Sequence, residues 1–297
     1  MDFNIFLIQL LNGVQYLLLF LVSSGLTLVF GIMGIINVAH GSFYMIGAYL
    51  AWSLAGQVGS FWLALPLAIA LSVLIGLLLE WLVVRWLYKR DHLYQVLCTY
   101  GLILVFEELR SVLWGDDVRS LPVPDILNYS IPLNDTLSYP VYRLGISVVC
   151  LAVALGLYLV IQKTRLGMTI RAGASNRDMV QSLGINIQLV YRAVFAAGIA
   201  LAAFAGMIAA PVSAVAPGMG NYVLIICFVV VVIGGLGSVK GALIASLLIG
   251  LVDTFGKVLH LEVAGLKLLP ELSSMTVYVL MAVILLWRPE GLFGKKF

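Results

Sequence analysis

The sequence predicts an all-α fold: a polytopic transmembrane bundle of about eight to nine spans, with a broken helix and a possible inverted repeat. Three observations predict it. Of the 297 residues, 62% are hydrophobic and only 10% are charged, against roughly 25% charged in a soluble globular chain. Apolar runs recur close to the 20 or so residues that cross a bilayer. One of those runs is interrupted by a Gly-rich polar knot. A single transmembrane domain over 1–297 is expected. Its net charge of +3 is too small to suggest a nucleic-acid partner, and membrane lipid is the solvent for most of its surface.

In chain order the spans fall near 7–30, 40–56, 61–86, 93–114, 141–162, 189–216, 221–236, 241–259 and 272–287. No Lys or Arg precedes Arg85. The first run therefore lacks the basic region of a signal peptide and is expected as a retained span. It leads into Gly25–Ala51, where Gly31, Gly34, Asn37, His40, Gly41, Ser42 and Gly47 interrupt apolar sequence. Lipid offers no partners to free N–H and C=O groups, so such a knot marks backbone leaving the helix or a close approach of helices. Broken helices at depth face protein or a water-filled cavity, and in transporters they often mark the substrate path. Gly31, Gly34, Asn37, His40, Gly41 and Ser42 are accordingly candidates to line a path or form its inner gate. For Asn37 and His40, hydrogen bonds that hold the break together are an equal alternative. His40 has no orienting acid in its segment to make it a catalytic base. His92 is expected in a loop and His260 at the outer surface.

Glu80, the Glu107–Glu108–Arg110 group and the Asp253/Lys257 pair lie near span ends. They read as structural ion pairs and interface anchors rather than coupling groups, since secondary transporters place charge at the midplane. Loop 115–140, with four prolines and four aspartates, reads as an extended, solvated external loop. The break at Pro211–Gly220 lies opposite in orientation to Gly31–Gly41, the pattern of an inverted repeat around a path. Cys98, Cys150 and Cys227 show no metal spacing and read as small buried hydrophobes.

Loop 163–190 is the second informative stretch. Ser175-Asn176-Arg177-Asp178 has capping-box spacing with Ser175 at the N-cap, Met179, Val180 and Leu183 then share one helix face, and Gly184 can end the helix in a left-handed conformation. Two turns are not stable alone in water, so this helix must dock on a partner, the membrane surface or the protein's own spans. GGLGSVKG within Val229–Gly250 lacks the Walker spacing and its Ser/Thr. It reads as a tight turn with close packing through Gly241, Ala245 and Gly250. No cofactor and no metal are expected, and any ATPase must be another chain.

Twelve of the 17 Lys and Arg residues fall on alternate connections: Arg85, Lys89 and Arg90; Lys163, Arg165, Arg171, Arg177 and Arg192; Lys240; and Arg288, Lys295 and Lys296. The positive-inside rule then puts loop 163–190 and the C-terminus in the cytoplasm and the N-terminus outside.

Four blocks now carry a resemblance: GLTLVFGIMGIINVAHGSFYMIGAY, RAGASNRDMVQSLGINI, VVIGGLGSVKGALIASLLIG and RPEGLFGKK. In order and spacing the chain resembles the inner-membrane permeases of branched-chain amino acid ATP-binding cassette importers, Asn37–Gly41 being the most specific block. The resemblance implies an all-helical, non-enzymatic permease of the bacterial inner membrane. It also implies a second homologous permease, two ATPase subunits and a periplasmic solute-binding protein as partners. Arg171, Ser175, Asn176, Arg177, Asp178, Met179, Leu183 and Gly184 match in position the loop that docks the ATPase. A stand-alone channel or secondary transporter for a small polar solute such as urea or an amide is the alternative.

Overall fold

The computed structural model describes residues 3–88, 90–134, 137–258, 262–263, 266–267 and 270–294. Helices α1 (Phe3–Gln15) and α2 (Leu17–Met33) form one apolar stretch that bends at Tyr16. After the break come α3 (His40–Val58) and α4 (Phe61–Leu79), a π-helical turn over Glu80–Val84, the short α5 (Arg85–Leu87) and α6 (His92–Trp114). Next follow α7 (Val141–Lys163), α8 (Arg165–Ser175), α9 (Arg177–Ser182) and α10 (Ile187–Ala209). The chain closes with α11 (Met219–Gly234), α12 (Val239–Val258) and α13 (Pro270–Trp287). Among the described residues, five stretches are long and apolar enough to cross a membrane: Phe6–Met33, Phe61–Leu87, Val141–Lys163, Ile187–Ala209 and Val239–Lys257.

Helices lie at the positions of the expected spans, but 40–56, 93–114, 221–236 and 272–287 are not among those five stretches, and three local differences appear. His92 starts α6 rather than lying in a loop. The span expected to 216 ends at Ala209, and 210–218 is turn. Loop 115–140 is not wholly extended. Strands β1 (Ser130–Asn134) and β2 (Leu137–Pro140) pair antiparallel, and a second minimal hairpin joins β3 (Glu262–Val263) to β4 (Leu266–Lys267). His260 lies outside the described residues. Arg110 staples the start of the 115–140 loop: its guanidinium donates to the Gly115 carbonyl at 2.6 Å and to Asp116 at 2.9 Å. The same bond holds the Asp116 carboxyl below the usual carboxylate range. Further on, Arg119 and Val215 exchange backbone hydrogen bonds at 2.8 Å, tying this loop to the 210–218 turn.

The core is a block of α2, α3, α10 and α11, flanked by α4 and α12. Its helices approach through glycines, as lipid-embedded helices do when packing rather than water drives association. A Cβ on Gly25 would lie 2.6 Å from the Gly198 carbonyl oxygen, so α2 and α10 cross at their midpoints. A Cβ on Gly41 would lie 2.3 Å from the Gly220 carbonyl oxygen, so the first turns of α3 and α11 touch there. Any larger residue at Gly41 would force these two helix starts apart.

The expected packing glycines after α11 are placed as the sequence suggests. Gly241 abuts Gly234, Gly250 abuts Gly13 and Tyr16, and Ala245 is fully buried. The 235–238 turn is closed by the C-terminal segment. Leu292 N–H donates to the Ile233 carbonyl and Phe293 N–H to the Gly234 carbonyl. These are two of the four carbonyls that a helix end leaves without partners.

Candidate functional site

The site begins where α2 ends. Gly34 adopts φ +65° and its N–H bonds the Phe30 carbonyl, a left-handed cap that stops the helix. The chain then doubles back. His40 Nε2 donates to the Val22 carbonyl at 3.1 Å, eleven residues before α2 ends, or about 16 Å along the helix. Residues 34–37 and the reach of the His40 side chain cover that distance together, because 37–40 is a turn in which the His40 N–H donates to the Asn37 carbonyl at 3.3 Å. The stretch is therefore re-entrant, and α3 starts beside the middle of α2 rather than at its end.

An extended stretch inside a helical bundle exposes its backbone N–H groups, and leaving them bare at this depth is costly. Two are claimed by α6. Ile36 N–H donates to Gln95 Oε1 at 3.2 Å and Val38 N–H donates to Thr99 Oγ1 at 3.3 Å. Gln95 and Thr99 lie one helical step of four residues, about 6 Å, apart on the same face of α6. Gln95 is itself held, its Nε2 donating to the carbonyls of Leu87 and Arg90. Both side chains are buried. Sequence reading missed them, although two polar residues four apart in an otherwise apolar run were the available signal.

Of the candidates, Asn37, His40, Gly41 and Ser42 are all buried, and the structure brings them together at the start of α3. Gly41 is spent on the α11 contact, and Gly31 packs against Gly237. Gln95 and Thr99 take two of the freed N–H groups, and His40 bonds the Val22 carbonyl of α2. Asn37 Nδ2 and His40 Nδ1 are buried without a hydrogen-bond partner. Because His40 Nε2 faces a carbonyl, it carries the proton and Nδ1 is an acceptor. The break thus holds one unused donor and one unused acceptor in an apolar wall that includes Ile35 and Phe43.

The loop 163–190 is built differently from the expectation. It contains two helices, and Ser175 is the last residue of α8 rather than an N-cap. The cap of α9 is Asn176, whose Oδ1 accepts from Met179 N–H at 3.0 Å. Asn accepts at this position as well as Ser does, and α8 had already claimed Ser175. Val180 faces inward at 3% exposure, while Met179 and Leu183 are 62% and 72% exposed. The predicted face is therefore split: one residue docks α9 and two are presented outward. Gly184 has the expected left-handed φ of +80°. The side chains of Arg177 and Asp178 lie outside the described residues. Leu166, Met168 and Leu189 are also exposed, so the loop presents an apolar surface larger than α9 alone. Arg171 donates from Nη1 to the Ile161 carbonyl, pinning α8 to the end of α7.

The ionisable residues pair as expected. Arg192 Nε is 3.2 Å from Glu80 Oε2, and Tyr88 donates to the other carboxylate oxygen. Lys257 Nζ is 2.6 Å from Asp253, which also accepts from Tyr16. Cys150 and Cys227 are buried and Cys98 is half-buried, all three as free thiols. Among the described residues no group of three metal-ligating side chains occurs.

A glycine-packed helical bundle with a re-entrant break and paired, peripheral charges defines an integral membrane protein of the transport class. Residues 10–285 match the permease component of branched-chain amino acid transport systems, and the chain belongs to that family. It is 31% identical to the high-affinity branched-chain amino acid transport system permease protein BraD of Pseudomonas aeruginosa, over 98% of this chain and 96% of that protein. It is 27% identical to the corresponding permease protein LivH of Escherichia coli, over 99% of this chain and 97% of the relative. Identity to the Escherichia coli permease protein LivM is 27%, over 90% of this chain and 66% of that longer protein. No solved structure matches.

The re-entrant stretch makes a direct prediction. Gln95→Leu and Thr99→Val each leave a buried N–H unpaired, at a cost of about 1–3 kcal/mol. Thermal unfolding in detergent should show both variants melting below the unsubstituted protein. Unchanged melting of both would mean that the break is held by something else.

Proposed function

We propose that this chain is the membrane-spanning permease subunit of an ATP-binding cassette importer for branched-chain or related small amino acids. It has no catalysis of its own. It works with a second homologous permease, two ATPase subunits and a periplasmic solute-binding protein, in a bacterial inner membrane. Family membership across 10–285 is the observation that carries this reading. Buried acids bear against a self-sufficient proton- or ion-coupled transporter, because Glu80 and Asp253 are already held in ion pairs.

The translocation path runs along Gly31–Ser42. Asn37 Nδ2 and His40 Nδ1, both without a partner, are one donor and one acceptor, which is what a zwitterion needs. The amide meets the carboxylate, the imidazole nitrogen meets the ammonium group, and Ile35 and Phe43 flank the aliphatic body. The first turns of α3 and α11 meet at Gly41 and Gly220, and neither helix has a side-chain cap. Their N-terminal partial charges add to the attraction for a carboxylate.

The bundle reads as an inverted repeat in which α2, α3, α4 and α6 correspond to α10, α11, α12 and α13. The packing supports it: α2 with α12 mirrors α10 with α4, α2 with α11 mirrors α10 with α3, α3 with α4 mirrors α11 with α12, and α3 with α6 mirrors α11 with α13. With nine crossings, the charge distribution places the N-terminus outside and the C-terminus in the cytoplasm. The exposed residues of loop 163–190 then form the ATPase dock, with Met179 and Leu183 at its tip.

Three outcomes are expected. Leu183→Asp replaces an apolar contact worth roughly 1.5–3 kcal/mol, so ATP-driven uptake in vesicles should collapse while membrane insertion is normal; full uptake would rule out this dock. Asn37→Ala and His40→Ala should change uptake rate or solute preference at unchanged folded yield and ATPase association. If both variants transport at the unsubstituted rate with the same preference, the pair is structural. Finally, Ser175→Cys and Ser130→Cys, each in a background lacking Cys98, Cys150 and Cys227, should label from opposite sides of the membrane. Labelling of both from outside would reverse the topology.

A further inference from the structure

A trough separate from Asn37 and His40 opens on the side of the bundle, with a volume of about 560 Å3. Its floor is α2 from Phe20 to Ile32, its walls are α7 and the start of α12, and α8 closes one end with Ile170, Arg171 and Ala174. Three features define what fits it. The floor is about 18 Å long, far longer than a small amino acid needs. The rim residues Leu151 and Leu155 on α7 are 48% and 60% exposed, so the trough opens sideways, toward the lipid, rather than along a pore axis. Its charge is one-sided: Arg171 and Lys240 stand at the α8 end, and no carboxylate is among the described residues that line it. Lys240 is held 5.4 Å over the Tyr158 ring, inside the trough's own lining.

A fourth feature marks depth. Thr27 is fully buried in the floor, and its hydroxyl has no hydrogen-bond partner. It lies one helical turn, about 6 Å along the axis, below Gly31. In a diacyl phospholipid the ester carbonyls lie just below the phosphate, and the chains follow. The trough presents the matching sequence: cations, then a hydroxyl donor, then an apolar channel from Leu28 to Phe20.

The geometry points to a binding site for one anionic phospholipid, with its phosphate at Arg171 and Lys240, an ester carbonyl at Thr27 and an acyl chain along α2. The site does not depend on which solute the protein carries. Basic pockets between membrane helices attract anionic headgroups by their local positive field. Because Arg171 also pins α8 to α7, the lipid would brace the helix that leads into the exposed tip of loop 163–190.

The test uses the full-length protein, purified in detergent with whatever subunits accompany it. Thermal unfolding is followed with added phosphatidylglycerol, phosphatidylcholine, glycerol 3-phosphate or leucine. Phosphatidylglycerol should raise the melting temperature, and the other three should not. Arg171→Gln together with Lys240→Gln should weaken the apparent affinity for phosphatidylglycerol by on the order of 30-fold. Leu155→Trp, at an exposed rim position, leaves both cations in place and should abolish the effect by filling the trough. Equal stabilisation by phosphatidylcholine, or a phosphatidylglycerol effect that survives both sets of substitutions, would overturn the proposal. So would a shift produced by glycerol 3-phosphate alone, which assigns the cations to free phosphate, or by leucine alone, which assigns the trough to the solute. Loss of a co-purifying permease from Leu155→Trp with no lipid response would overturn it in favour of a protein interface.

Discussion

Backbone hydrogen bonding in a medium without water is the constraint on which this structure rests. A bilayer tolerates irregular chain only where protein supplies the missing partners. Here the chain leaves α2 at Gly34, turns back and restarts at His40, whose side chain bonds the Val22 carbonyl. That detour is held because α6 offers Gln95 and Thr99 one helical step apart to the N–H groups of Ile36 and Val38. Gln95 is fixed in turn by the carbonyls of Leu87 and Arg90, where α5 gives way to α6. The irregular heart of the bundle therefore depends on a connection at its edge.

Once the break is held, its consequences are geometric. Starting α3 beside the middle of α2 puts its first turn against the first turn of α11, with Gly41 and Gly220 in backbone contact. Four helices can then meet closely in one place, and the polar atoms of Asn37 and His40 are enclosed with them. Three charged groups lie toward helix ends and are paired. Glu80 is held by Arg192 and Tyr88, Asp253 by Lys257 and Tyr16, and Arg110 by Asp116 and the Gly115 carbonyl.

The loop between α7 and α10 connects this centre to the surface. Gly167 lies so close to the end of α7 that a Cβ there would be 2.1 Å from the Ile161 carbonyl oxygen. Arg171 bonds that same carbonyl. So α8 is joined to α7, while α9 turns Val180 inward and presents Met179 and Leu183 outward.

The sequence by itself determined the class of fold, the position of nearly every helix, the two breaks and the loop that carries an outward apolar face. These follow from composition, run length and glycine placement, which are local properties of the chain. It did not determine where α10 stops, that Asn176 rather than Ser175 caps α9, or that a hairpin forms in 115–140. Each of those turns on a neighbour: the Arg119–Val215 pairing beyond α10, the helix that consumes Ser175, and the cross-strand partners of Ser130 and Pro140. The roles of Gln95 and Thr99 were decided only by tertiary structure. Nothing within 92–114 shows that backbone N–H groups 59 and 61 residues earlier will lie across their helix face. A hydrogen-bond partner distant in sequence is fixed by packing, and packing is where two sequence-local patterns first meet.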